Sequence, residues 1–110
     1  MRSFLSEVLS AGRFAVVLPD RIYRNQLFRS IEDGCLVTRA FIKVPLEEVR
    51  FFFFHDLDLF RFRKRGRYGR FISFRCDGKL LRGRVLSEDP SWLLIELGRV
   101  PFLFRKGRKG

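Results

Sequence analysis

An α+β fold is what this sequence predicts: an N-terminal half of helices with a few strands, then a small, strongly bent antiparallel β-barrel or curled sheet. Three observations predict it. Apolar residues recur at helical spacing, between capping residues, through much of the first 32 positions. From Leu57 onward the spacing turns to an alternation of period two, interrupted by turn signals at short intervals. A chain of 110 residues, 46% hydrophobic, can bury a core without disulfides or a metal. The boundaries that follow are an α/β half over 1–56, a basic barrel-like half over 57–104 and a basic flexible tail over 105–110. The first two are equally readable as one domain.

Ser3 caps a helix to Ala11 with Phe4, Leu5, Val8 and Leu9 on one face, and Gly12 stops it. The apolar run Phe14 to Leu18 reads as a buried strand. Asp20 caps a second helix from Arg21 to about Glu32, striped by Ile22, Tyr23, Leu27 and Ile31 and ended by Gly34. Cys35 to Val44, rich in β-branched and apolar side chains, forms the next strand. Pro45 to Val49 opens a short helix ending near His55, with proline and two acids in its first turn. A strand over Phe51 to Phe54 competes with it, because four consecutive phenylalanines carry no periodicity.

The barrel-like half begins with Leu57 and Leu59 alternating with Asp58. The register then shifts to Phe60 and Phe62, which predicts a bulge or a strand break. A turn over Gly66 to Gly69 follows, and Ile72, Phe74 and Cys76 share a face. Asp77-Gly78 is a hairpin signal, Lys79 to Ser87 returns, and Asp89-Pro90 turns again. Leu93, Ile95 and Leu97 form an inward row, and Val100, Phe102 and Phe104 the last one.

The net charge of +11 is unevenly placed. Residues 1–49 hold seven cations against six acids, whereas residues 50–110 hold sixteen against six. That second part carries the field that attracts a polyanion. Of the 23 basic residues 18 are arginine, whose planar fork suits phosphate and base stacking. A single Asn and a single Gln point to a thermophilic source, which explains the arginine richness in part but not its imbalance. Cys35 and Cys76, far apart and without a CxxC, argue against structural zinc and read as buried thiols, a disulfide remaining open. No apolar run is long enough to span a membrane, and Glu7 interrupts the signal-like N-terminus, so the expected location is the cytoplasm.

Residues 71–104 resemble the Sm-like or SH3-like small β-barrel. The matching pieces are Phe71-Ile72-Ser73-Phe74, Asp77-Gly78-Lys79, Leu81-Arg82-Gly83-Arg84-Val85, Asp89 and Leu93-Leu94-Ile95-Glu96. The resemblance implies a barrel, with Gly83 permitting a sharp bend. The family's pocket asparagine has no counterpart, Leu93 standing about there. Its closing Arg-Gly is matched by Arg105-Lys106-Gly107 only with an insertion.

The candidate site is the Arg-rich hairpin, in which cations and aromatics alternate. Arg61, Arg63, Lys64, Arg65, Arg67 and Arg70 would track phosphates, with Phe62, Tyr68 or Phe71 offering stacking faces, Tyr68 best placed in the turn. If Arg61 and Arg63 face outward, Phe60 and Phe62 face the core. Arg82 and Arg84 either extend the basic surface or pair with Glu88, Asp89 and Glu96, and Arg105, Lys106 and Arg108 add the tail. Trp92 is a stacking platform if exposed; packing against the N-terminal half is favoured. The expected function is non-catalytic nucleic-acid binding, RNA ahead of DNA. No cofactor or metal is expected, and a protein partner or homo-oligomer is compatible. The alternatives are a subunit of a ribonucleoprotein assembly and a Mg²⁺-dependent nuclease. The nuclease reading rests on Asp58 and Asp77-x-Lys79, though hairpin geometry already explains Asp77. His55-Asp56-Leu57-Asp58 reads either as a metal site or, preferably, as an exposed acidic helix end.

Overall fold

Main-chain pairing in the computed structural model, which describes residues 3–58, 62, 70–76 and 78–106 (Cys76 by its backbone alone), gives a nearly all-β protein. Among the described residues the one α-helix, α1 (Phe4–Leu9), is capped by Ser3, whose Oγ accepts from the Ser6 amide. Strands β1 (Phe14–Val17), β2 (Ile22–Gln26), β3 (Phe28–Glu32), β4 (Cys35–Thr38) and β5 (Lys43–Pro45) follow. A single 3-10 turn over Leu46–Glu48 then leads to β6 (Phe51–Phe54). The second half is a meander of β7 (Phe71–Cys76), β8 (Lys79–Glu88), β9 (Trp92–Leu97) and β10 (Val100–Arg105). None of the described helices is long and apolar enough to cross a membrane.

The described strands form two open sheets: seven in the order β2-β1-β6-β10-β9-β8-β7, and three in the order β3-β4-β5. Every pairing is antiparallel. The expected α+β class is therefore corrected on two counts. The helix foreseen over Arg21–Glu32 is two strands. Asn25, at φ +55°, breaks the run, and Asp33 and Gly34, at φ +51° and +73°, turn β3 directly into β4. Positive φ at both residues of a two-residue Asp-Gly loop is the type I′ hairpin geometry, not a helix stop. The helix foreseen from Pro45 to His55 is only the 3-10 turn, after which Phe51–Phe54 takes its place between β1 and β10.

The expected barrel is also corrected, since the large sheet curls without closing. The curl has two visible causes. Ser87 and Val85 of β8 pair across a register shift that leaves Leu86 as the extra residue. Gly83 lies so close to β9 that a Cβ there would sit 2.5 Å from the Glu96 carbonyl oxygen. The bend carries β7 back until Phe74 meets Phe104 of β10, ring centroids 5.1 Å apart.

Pleating gives the large sheet two faces. One presents Phe14, Val16, Phe52, Phe54, Trp92, Leu94 and Leu103, which pack with Leu5, Val8 and Leu9 of α1 and Leu36 and Val44 of the small sheet. Phe62 joins this core. Inside the curl, Val85, Leu93, Ile95 and Phe104 make a second cluster, bordered by half-buried Phe51, Ile72, Phe74 and Phe102. The strand foreseen beyond Asp58, the Leu59–Phe60 register shift, the turn at Gly66–Gly69 and the tail over 107–110 lie outside the described residues.

A candidate nucleic-acid interface

The pleat that buries Leu94 and Trp92 at the centre of the sheet continues into β8 and β7, where the same face carries cations. Arg84 stands opposite Glu96 on one side and Phe71 on the other; Arg82 stands opposite Ser73, and Leu80 opposite Arg75. Phe71 is 54% exposed. Its ring has the Arg84 guanidinium at 4.8 Å and the Arg82 guanidinium at 5.4 Å from its centroid. The three residues are brought together by register alone, since cross-strand and diagonal neighbours on one face lie within reach of long side chains. Cation–π contact holds both guanidiniums over the ring and concentrates positive charge beside it.

Other predicted cations turn out to be engaged within the protein. Arg70 pairs with Glu88 at 2.9 Å, and Lys106 pairs with the other oxygen of the same carboxylate. These two contacts, Lys106 first, hold the Glu88 carboxyl below its ordinary pKa. Arg105 lies over the Trp92 ring at 5.1 Å and donates to the Leu46 carbonyl. Trp92 itself is buried against Phe52, as the packing alternative required. Arg61, Arg63, Lys64, Arg65, Arg67, Tyr68 and Arg108 lie outside the described residues. Phe62, offered as a stacking face, is buried, and Phe71 is the exposed one.

Arg75 is the cation that sequence reasoning passed over. It lines a cleft of about 470 Å³ together with Arg105, Lys106, Phe74 and Glu47. Its signal was present in the strict alternation Phe71 to Cys76, where Ser73 and Arg75 share the outward face with Phe71. The cleft also takes in Leu93 and Phe104 of the inner cluster, so three cations and one acid gather at its mouth.

The acidic run after β6 has a structural role. Asp56 Oδ1 accepts from the Arg13 amide at 2.6 Å, the Asp58 amide donates to the Ala11 carbonyl, and His55 Nε2 accepts from the Asn25 amide. The run thus staples the end of β6 to the loop after α1, and it is not the acidic helix end foreseen. Gly12 serves this approach, because a Cβ there would meet the Asp56 carbonyl oxygen at 2.1 Å. Among the described residues no three of His, Cys, Asp and Glu converge on a point. Asp77 lies outside the described residues, and Cys35 is a half-buried free thiol. Compared with known proteins, the chain matches no family model, no curated protein and no solved structure.

Proposed function

We propose that the protein binds nucleic acid without acting on it chemically, RNA ahead of DNA, through the outward face of β7 and β8 and the Arg-rich segment that precedes it. The observation that carries this reading is the exposed Phe71 ring flanked by Arg82 and Arg84. Guanidinium forks engage phosphate oxygens, and an exposed ring accepts an unpaired base, which single-stranded RNA supplies most readily. Arg75, exposed on the same face as Phe71, extends the positive surface. The excess of cations in residues 50–110 supplies the long-range attraction.

The test is binding to labelled single-stranded RNA, duplex RNA and duplex DNA at low and physiological salt, with and without Mg²⁺. Salt-sensitive retention of intact ligand is expected. Arg82→Gln with Arg84→Gln should weaken binding across sequences and lower the salt slope by about two, roughly one per phosphate contact removed. Unchanged affinity in that variant removes β7 and β8 from the site. Unchanged affinity after alanine replaces Arg61, Arg63, Arg65 and Arg67 removes the preceding segment. Mg²⁺-dependent shortening of the ligand would turn the reading towards the nuclease.

A further inference from the structure

We infer that the tip of the β4–β5 hairpin is a second nucleic-acid contact, where the Phe41 ring stacks on an unpaired base and Arg29, Arg39 and Lys43 meet its flanking phosphates. The inference rests on the nucleic-acid reading but on a different sheet and on independent observations.

The three residues Arg39, Ala40 and Phe41 close this hairpin. The Phe41 amide donates to the Thr38 carbonyl, the Thr38 amide to the Ile42 carbonyl, and the Ile42 amide to Thr38 Oγ1, at 2.9, 3.0 and 3.2 Å. Thr38 is fully buried, so the loop is pinned at its base. Three-residue hairpin loops commonly end on a residue in the left-handed region, and glycine is the usual occupant. Here the occupant is phenylalanine, at φ +63°. The other two non-glycine residues with positive φ are Asn25 and Asp33, types that tolerate it. A bulky side chain in this conformation is strained, and strain of this kind persists where function retains it.

Folding does not account for the choice, since Phe41 is 71% exposed and contributes little to either core. What the ring does touch is the Arg29 guanidinium, 4.7 Å from its centroid. The Arg39 amide bonds to the Leu27 carbonyl, which sets the two segments side by side. Residues 27–29 and 39–43 hold three cations and no acid. A polyanion with flat, unstacked groups satisfies every part of this arrangement. An anionic membrane fits less well, because sinking the ring into lipid would draw the guanidinium held against it out of water.

The test compares the wild-type chain with Phe41→Asn and Phe41→Tyr on a labelled single-stranded oligonucleotide, on its duplex and on phosphatidylserine vesicles, with thermal unfolding in parallel. Asparagine accepts the left-handed backbone, so Phe41→Asn should unfold at the same or a higher temperature. Its affinity for the single strand should fall about five-fold or more, with the duplex little affected, while Phe41→Tyr keeps the wild-type value. Unchanged single-strand affinity in Phe41→Asn, where Arg82→Gln with Arg84→Gln still loses it, overturns the second contact and leaves the β7–β8 site standing. Failure of the wild-type chain to bind any strand overturns both. Binding to vesicles that depends on Phe41, without binding to the oligonucleotide, overturns the choice of partner.

Discussion

The centre of the large sheet and its β7–β8 end share one continuous face, and the chain treats the two differently. At the centre the face is covered by α1 and the small sheet, and its positions are Phe52, Leu94, Leu103 and Trp92. At the end the face is open to solvent, and its positions are exposed Phe71, Ser73, Arg75 and Arg82 with half-buried Arg84. The central strands β1, β6 and β9 run apolar at consecutive positions, whereas β7 and β8 alternate. The difference lies in what the rest of the chain lays over them. Covered positions are apolar because desolvating a guanidinium without a partner is costly. Uncovered positions can carry charge at almost no cost to stability.

Three changes break or sharpen this contrast. Phe52→Ala empties the covered face, where the ring is fully buried and meets Phe14 and Trp92 at 5.7 and 5.9 Å. It should cost about 3–5 kcal/mol in denaturant unfolding, followed by the emission of the single tryptophan. Arg82→Gln alone should leave the unfolding free energy within about 0.5 kcal/mol. Gly83→Ala acts on the bend that joins the two regions. A methyl group pressed against the Glu96 carbonyl must displace β8 or β9, at about 1–3 kcal/mol. It should loosen the Phe74–Phe104 contact and weaken ligand binding together; a wild-type midpoint would show that the strands part without cost.

A small effect is expected from Glu88→Gln, which removes the carboxylate shared by Arg70 and Lys106. The carboxyl is partly exposed, so the loss should not exceed about 1 kcal/mol at neutral pH. Because its pKa is lowered in the folded state, the contribution is complete above the ordinary glutamate value and disappears as the pH falls through the lowered one. Wild type and variant should therefore differ at pH 7 and converge in acid. A gap that persists in acid would assign the effect to packing.

Much of the second half was legible in the sequence. The Gly78 turn, with Cys76 paired to Lys79, and the Asp89 turn, whose side chain accepts from the Ser91 and Trp92 amides, follow from local chemistry; the bend at Gly83 was expected only from the small-barrel resemblance. The first half misled because Ile22, Tyr23, Leu27 and Ile31 match a helical stripe by coincidence, in two short strands separated at Leu27. The Asp33-Gly34 pair carried the same hairpin signal as Asp77-Gly78, and a capping reading of the glycine hid it. Phe51–Phe54 was ambiguous for a physical reason: a central strand buried on one face and half-covered on the other carries apolar residues at every position. The Phe71 platform was partly visible, since the ring and its arginines were named but not their pairing across β7 and β8. Phe41 left no local sign, because its conformation is set by Thr38 and the register of β4 with β5.

The insertion of β6 between β1 and β10 has a consequence for the order of events during synthesis. Its partner on one side, Phe14–Val17, is made well before it, and its partner on the other, Val100–Arg105, well after. Until β10 emerges, the four-phenylalanine strand has one unpaired edge, the kind of template on which chains associate wrongly. A chain shortened before residue 100 would leave that edge permanently open, and aggregation rather than simple loss of binding is its expected fate.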